Sequence, residues 1–276
     1  MLNKIGRLTN SDKNEIRAIL DDVFKLLDAD KKEKARKKIY ELSKTQNYFI
    51  RKFLGKELLN YHDQRKIVPL VKKMLDNKYY GIRASALFYF FDRYRQEPEK
   101  LLEILDEHYD SAPWEAETII NELWKKYPEI MKEHMEKWIE SDDKSKRAIS
   151  FHGMENIANK DPQYIMNFLA KAIDDNALEV QKKITHILTQ VARSKPIIAF
   201  PVIREWLTDA DDRRVKTIWV SMKKLANIIS QSNKRNQKND FVILTEQTIK
   251  DWAKDENKKV AKMGKKLLYI IKQNKH

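Results

Sequence analysis

The segment Pro128–Gly153, PEIMKEHMEKWIESDDKSKRAISFHG, contains the structural unit from which the chain is built. A proline opens a first helix, an acidic break follows at Glu140–Asp143, and a second helix begins with clustered basic residues. Similar segments precede and follow this one, so the same unit is presented several times along the chain. Both the fold and the function are therefore sought in a repeat.

Breaks between helices recur at a regular interval, and most successive breaks are 30–35 residues apart. The breaks are Lys44, Asp76, Asp110, Glu140, Asp175, Asp209 and Asp255. Four prolines that stand just inside predicted first helices, where a missing N–H is harmless, have the same period. They are Pro98, Pro128, Pro162 and Pro196. A helical-hairpin period of this length is typical of an α-solenoid.

The composition agrees with this fold, because five glycines and seven prolines are too few for the turns of a many-stranded protein. We predict an all-α solenoid of helical hairpins, curved with a basic concave face, forming a single domain over residues 1–276. Its predicted parts are N-terminal capping helices at 1–42, core repeats at 43–230, an exposed loop at 231–240 and a C-terminal capping repeat at 241–276.

The chain contains no cysteine, which excludes disulfides, thiolate metal sites and a cysteine nucleophile. Its six histidines never form a close helical pair, and no zinc motif is present. The amino terminus lacks an apolar signal core, and no apolar run reaches the roughly 20 residues of a membrane span. We expect a cytoplasmic protein with no metal, no cofactor and no membrane segment.

The net charge of +14 arises from 55 Lys and Arg against 41 Asp and Glu. Such an excess produces a field that favours polyanions, and nucleic acid is the first candidate. Lysine-rich proteins also carry such an excess without binding nucleic acid. The placement of the charges must therefore decide between a nucleic-acid-binding surface and a composition that is merely basic.

Basic residues stand seven positions after most breaks, at the start of the second helices. They are Arg51, Arg83, Arg147, Lys182 and Lys216, reinforced by Lys144, Lys146, Lys183, Arg213 and Arg214. A row of cations on one surface suits the backbone of duplex DNA, read by shape. The alternative is structural, because an aspartate at a break can pair with an arginine of the adjacent repeat and stiffen the stack.

One position breaks this rule. Glu117 stands where neighbouring repeats carry a basic residue, and Trp114 lies about one turn away. A carboxylate beside an aromatic ring within a basic groove is suited to hold a cationic group. The alternative is an ordinary glutamate in the first helical turn, favoured by the helix dipole.

Several local segments resemble the bacterial AlkD-type DNA alkylation repair proteins. They are Lys126-Tyr-Pro-Glu129, Lys137-Trp-Ile-Glu-Ser-Asp142, Arg147-Ala148 and Gln181-Lys-Lys-Ile184, with Leu188, Ala192 and Pro196 beyond them. The match covers roughly residues 100–225. This resemblance implies a HEAT-like solenoid that binds duplex DNA by its backbone and excises N3- or N7-alkylated purines without turning the base into a deep pocket.

The resemblance also implies roles for individual residues. The basic residue of the family's central repeat falls on Arg147, and its tryptophan and carboxylate fall on Trp114 and Glu117. An ungapped alignment would instead place Tyr109 and Pro113 there, and a further aromatic of the site aligns with His186. Tyr109 and His186 are thus candidate substrate contacts, and Trp114, Glu117 and Arg147 are candidate catalytic residues.

Three readings of function stay open. The first is a DNA-binding repair protein, either a glycosylase or a non-catalytic relative. The second is a protein-binding scaffold, the commonest use of an α-solenoid. The third is membrane-surface binding through the lysine-rich helix Lys258–Lys272, whose apolar face also suits a cap. The oligomeric state is left open, with a monomer expected.

Overall fold

The computed structural model describes residues 6–273. Residues 1–5 of the predicted N-terminal cap and residues 274–276 of the predicted C-terminal repeat lie outside this range. All secondary structure in the described range is helical, and successive helices form hairpins. The predicted class, an all-α solenoid of helical hairpins, is therefore confirmed, whereas the curvature and the basic concave face stay predictions.

The helices fall into two compact units, one ending at Ile120 and the other beginning at Asn121. The first unit contains α1 (Asn10–Asp28), α2 (Lys32–Ser43), α3 (Tyr48–Glu57), α4 (Gln64–Leu75), α5 (Tyr80–Arg93), α6 (Pro98–His108) and the start of α7 (Pro113–Lys126). The second contains the end of α7, then α8 (Pro128–Trp138), α9 (Lys144–Ser150), α10 (Pro162–Ala172), α11 (Leu178–Ser194), α12 (Pro196–Thr208), α13 (Asp212–Lys234), α14 (Asp240–Trp252) and α15 (Lys258–Gln273). The single domain predicted over the whole chain stays a prediction.

Proline sets the starts of the first helices, as the sequence predicts. Each of the four periodic prolines lies at the beginning of its helix, in α6, α8, α10 and α12. Helix α12 continues through its second proline, Pro201, to Thr208. The predicted loop at 231–240 is shorter in the structure, because α13 extends to Lys234 and α14 begins at Asp240.

The acidic breaks cap helices. The Asp143 side chain accepts a hydrogen bond from the backbone N–H of Ser145 at the start of α9. Asp211 does the same for Arg214 at the start of α13. Such caps satisfy backbone donors that a helix start otherwise leaves without partners, so these acids have a structural function.

Ion pairs join successive hairpins of the second unit. The Arg147 guanidinium donates to the Asp175 carboxylate at 2.7 and 3.3 Å, although 28 residues separate them. Arg214 donates to Asp174 with Nε at 2.8 Å, and Arg204 pairs with Asp255 at 2.6 Å. Arg147 therefore makes the pair between adjacent repeats that the sequence offers as the alternative to a DNA contact.

These pairs change the titration of the aspartates. The hydrogen bond from Arg214 lowers the pKa of Asp174, and the one from Arg204 lowers the pKa of Asp255. Burial acts to raise the pKa of Asp175, but hydrogen bonds from Arg147 and from the backbone of Ala177, together with the positive charge, lower it overall.

We predict that Gly55→Ala destabilises the protein by about 1–3 kcal/mol, because the packing of α3 on α5 leaves no room for a methyl group. A Cβ at this position would lie 2.7 Å from the backbone nitrogen of Tyr89 and 2.8 Å from the Cβ of Phe88. Urea denaturation followed by circular dichroism measures the change. Lys56→Ala, exposed on the same helix, is the control, and equal midpoints for the two variants would contradict the prediction.

We predict that stability declines below about pH 4. The folded-state pKa values of Asp174, Asp175 and Asp255 are lowered. Their stabilisation is therefore complete above the unfolded value of about 3.9 and is lost as the pH falls from there through the folded values. Asp175→Asn should lower stability at pH 7 and flatten this decline, in urea titrations at pH 3–7. Asp212→Asn, exposed in the first turn of α13, should leave the profile unchanged.

Candidate nucleic-acid interface

A buried ion pair occupies the first unit at the position where the sequence predicts a DNA contact. The Arg51 guanidinium donates to Glu115 Oε1 from Nε at 3.1 Å and from Nη2 at 2.6 Å, and both side chains are almost fully buried. Tyr80 donates its hydroxyl hydrogen to Glu115 Oε2 at 2.5 Å. Burial raises the pKa of Tyr80, and the hydrogen bond to Glu115 raises it further. The cluster thus links α3, α5 and α7.

This environment corrects the predicted role of Arg51. With 3% of its surface exposed, Arg51 does not reach a phosphate. The sequence contains the signal for this result, because Glu115 falls within the apolar stripe of α7. That stripe is formed by Ala112, Glu115, Ala116, Ile119, Ile120 and Leu123. A charged residue at a core position indicates a buried partner.

Arg83 and Arg147 also direct their donors inward. Arg83 donates to the Asn77 carbonyl at 2.6 Å and to the Ser111 carbonyl at 2.7 Å. Arg147 donates to the Ser141 carbonyl at 2.8 Å in addition to its pair with Asp175. Each arginine thus joins its own turn to the next one. Both are half-buried, so the expected DNA contacts of Arg83 and catalytic role of Arg147 receive no support from these bonds.

The candidate aromatic and acidic residues of the first unit differ in exposure. Trp114 is 74% exposed, and Glu117 is half-buried one helical turn later. Tyr109 is only 7% exposed, so its ring is not open to a base, and its predicted role as a substrate contact does not fit this position. Arg147 belongs to the second unit, and His186 is exposed on α11 of that unit.

The predicted cations of the second unit form two groups. Most make contacts within the protein. Lys144 pairs with Glu179 at 3.2 Å, Lys146 lies 5.4 Å from the ring of Trp138, Lys183 lies 3.3 Å from His152, Arg213 donates to the Asp174 carbonyl at 3.3 Å, and Arg214 pairs with Asp174. Lys182 and Lys216 are exposed and have no ion-pair partner within residues 6–273.

Charge is segregated between the two helices of each hairpin in the second unit. The second helices, α9, α11, α13 and α15, contain eighteen Lys or Arg and two Asp or Glu. The first helices, α8, α10, α12 and α14, contain five Lys or Arg and seven Asp or Glu. The positive charge of this unit therefore belongs to one layer of helices, which we call the second-helix layer.

Packing leaves one face of this layer open. Helix α11 contacts α9 and α13 on its two sides and α10 and α12 behind it, and α13 is similarly placed between α11 and α15. The remaining faces are exposed and point away from the first helices. Lys266 lies 5.7 Å from the ring of Trp219, which brings the open faces of α13 and α15 side by side.

Further lysines on these faces lie beyond the first two turns, where no DNA contact is predicted. They are Lys223 and Lys224 on α13 and Lys265 and Lys266 on α15, beside Lys262, which stands seven positions after the break at Asp255. Spacings of seven and eight residues keep Lys223 and Lys224 on one face with Lys216, and spacings of three and four keep Lys265 and Lys266 on one face with Lys262. This periodicity, continued beyond the first two turns, is the signal that could have found them.

Residues 6–273 contain no group of acidic or histidine side chains arranged to hold a metal ion. Within the same range, none of the helices has both the length and the apolarity needed to span a lipid bilayer.

Structural comparison finds remote helical proteins. An engineered protein is 17% identical with a TM-score of 0.41, and the match covers 94% of this chain and 71% of that chain. A designed armadillo repeat protein in complex with the peptide (KR)4 is 15% identical with a TM-score of 0.33, and the match covers 80% of this chain and 98% of that chain. No curated protein matches the chain significantly.

The sequence itself is more informative. The model of the family described as DNA alkylation repair enzyme matches residues 45–204, which is more than half of the chain. The matched range begins at the turn before α3, ends within α12 and includes the buried Arg51 cluster and the starts of α9 and α11. The chain therefore belongs to the DNA alkylation repair enzyme family.

Proposed function

We propose that the chain binds duplex DNA along the open face of the second-helix layer and excises alkylated purines. The observation that carries the first part is the charge segregation, with eighteen basic and two acidic residues in one layer. The other layer contains nearly balanced charge, so the excess is not spread evenly. Family membership supports DNA as the polyanion.

Lysines outnumber arginines among the exposed cations of this layer. Lys182, Lys216 and Lys223 are exposed on adjacent helices and extend into solvent. Each ammonium group that neutralises a phosphate releases counterions, which stabilises the complex without reading the sequence. The proposed contacts therefore fit the backbone of a duplex rather than its bases.

The second part of the proposal concerns Trp114 and Glu117 at the start of α7. An N7-alkylated guanine is positively charged, so the exposed indole ring of Trp114 can hold it by a cation–π interaction. The bond between C1′ and the base breaks, its electron pair leaves with the base, and the base becomes neutral. The Glu117 carboxylate stabilises the positive sugar, and water adds to C1′ with loss of a proton.

We predict that the triple variant Lys182→Ala, Lys216→Ala and Lys223→Ala weakens binding of an unmodified fluorescein-labelled duplex of about 20 base pairs. In titrations between about 50 and 200 mM NaCl, the logarithm of the association constant falls with the logarithm of the salt concentration. The magnitude of this slope should decrease by about one for each contact removed.

The control removes three lysines from the first helices instead, with Lys137→Ala, Lys171→Ala and Lys250→Ala. Both triple variants have the same net charge, so only the location of the lysines differs. Native-like binding is expected for this control. Equal losses for the two triple variants would rule out the second-helix layer as the DNA surface, and so would affinity that does not depend on salt.

We predict that the native chain releases 7-methylguanine from a duplex and that Glu117→Gln slows release about 100-fold. The carboxylate acts on the transition state, so the affinity for duplex DNA should remain within about twofold. Single-turnover assays with chromatographic detection of the free base measure the rate. Asp110→Asn, an exposed carboxylate before α7, should retain full activity.

Retained duplex binding without base release by the native chain would identify a non-catalytic member and contradict the excision step. Full activity of Glu117→Gln would remove Glu117 from the mechanism while leaving the DNA surface in place. The two parts of the proposal therefore fail separately.

A further inference from the structure

Exposed aromatic side chains recur at the starts of three consecutive second helices in the first unit. Phe49 begins α3 and is 39% exposed, Tyr79 precedes α5 and is 43% exposed, and Trp114 begins α7 and is 74% exposed. Intervals of 30 and 35 residues separate them, as in the repeat itself. Tyr269 is the one other exposed aromatic residue within 6–273. We call these three residues the aromatic row.

The turns that present the aromatic row lie next to one another. A Cβ on Gly81 would lie against the carbonyl oxygens of Ser43 and Thr45, so the start of α5 packs directly on the turn before α3. The start of α5 also reaches the next turn, because Arg83 donates to the Ser111 carbonyl at 2.7 Å. The three rings therefore follow the order of the hairpins along one edge.

Lysines accompany the middle ring of the row and a neighbour of the first. The Nζ atoms of Lys44 and Lys78 lie 4.6 and 5.2 Å from the centre of the Tyr79 ring. Lys52 lies 6.0 Å from the ring of Tyr48, the neighbour of Phe49. Long flexible stems allow these ammonium groups to move from a ring to a phosphate. An apolar partner alone does not explain why two cations lie beside Tyr79.

A row of exposed rings with lysines beside its middle ring matches the chemistry of an unpaired nucleic-acid strand. Bases of such a strand stack on aromatic side chains, and its phosphates bind lysines. A duplex cannot use the rings in this way, because its base faces are already stacked on one another. Packed helices are about 8–10 Å apart, which is more than twice the rise of about 3.4 Å per base along the axis of a duplex, so stacked duplex bases do not match the spacing of the rings. An opened strand can adjust to this spacing.

We propose that the aromatic row, with Lys44 and Lys78, is a binding site for single-stranded nucleic acid, separate from the duplex surface of the second-helix layer. The strand stacks bases on the rings and places phosphates beside the lysines. The second unit contains the duplex surface, whereas this site lies wholly in the first unit. The two sites can therefore be tested independently.

The decisive variant is the double substitution Phe49→Leu and Tyr79→Leu, which removes the rings but keeps apolar side chains. Binding of fluorescein-labelled oligo(dT), about 15 nucleotides long, should weaken about tenfold or more. Binding of an unmodified duplex of equal length should change less than twofold. Trp114 is left intact, because it has a separate role in the proposed excision. The same titration with oligo(rU) distinguishes RNA from DNA.

Ile243→Ala removes an exposed apolar side chain in the second unit and serves as the control, with native oligo(dT) binding expected. Circular dichroism melting checks that each variant is folded, as expected for exposed positions. Native-like oligo(dT) binding by the double leucine variant would overturn the proposal, because a purely apolar contact tolerates leucine. Failure of the native chain to bind both oligo(dT) and oligo(rU) would overturn it as well, and so would equal losses for single strand and duplex.

Discussion

Guanidinium groups that bond to the carbonyls of the hairpin turns are the constraint on which the rest of the structure depends. Arg51, Arg83 and Arg147 each donate to a carbonyl of their own turn. Each also donates to a residue of a later hairpin, namely the Glu115 carboxylate, the Ser111 carbonyl and the Asp175 carboxylate, respectively. Buried backbone carbonyls need partners, and a planar guanidinium supplies several donors in fixed directions. In the second unit, Gln181 takes this place by donating to the Asp175 carbonyl at 2.9 Å. The turns thereby set the register of one hairpin on the next.

This use of arginine decides which residues remain for function. Arginine bonds to several acceptors at once and serves within turns, whereas lysine keeps a strongly hydrated ammonium in solvent. The open face of the second-helix layer consequently carries lysines, among them Lys182, Lys216 and Lys223. A surface of flexible, hydrated cations suits the uniform backbone of DNA better than the edges of particular bases.

The repeat period predicted the architecture well, because the fixed backbone angle of proline acts locally. Positions near the turns were harder to assign. Glu115 and Glu117 are two residues apart on α7, yet one is buried against Arg51 and the other is half-buried. Gln181 makes the turn bond, and its neighbour Lys182 extends into solvent. A difference of one residue rotates a side chain about 100° around the helix. Counting positions from the break therefore did not tell the buried residue of each pair from its more exposed neighbour.

The sequence by itself determined the helical class, the hairpin period, the proline-initiated first helices and the excess of positive charge, because local propensity and composition specify these properties. The tertiary structure alone decided which cations are consumed in turns, that the open lysines share one layer, and that Phe49, Tyr79 and Trp114 occupy equivalent exposed positions. These properties depend on the neighbours that each side chain meets. Those neighbours come from hairpins about 30 residues away, at distances that packing rather than local sequence establishes.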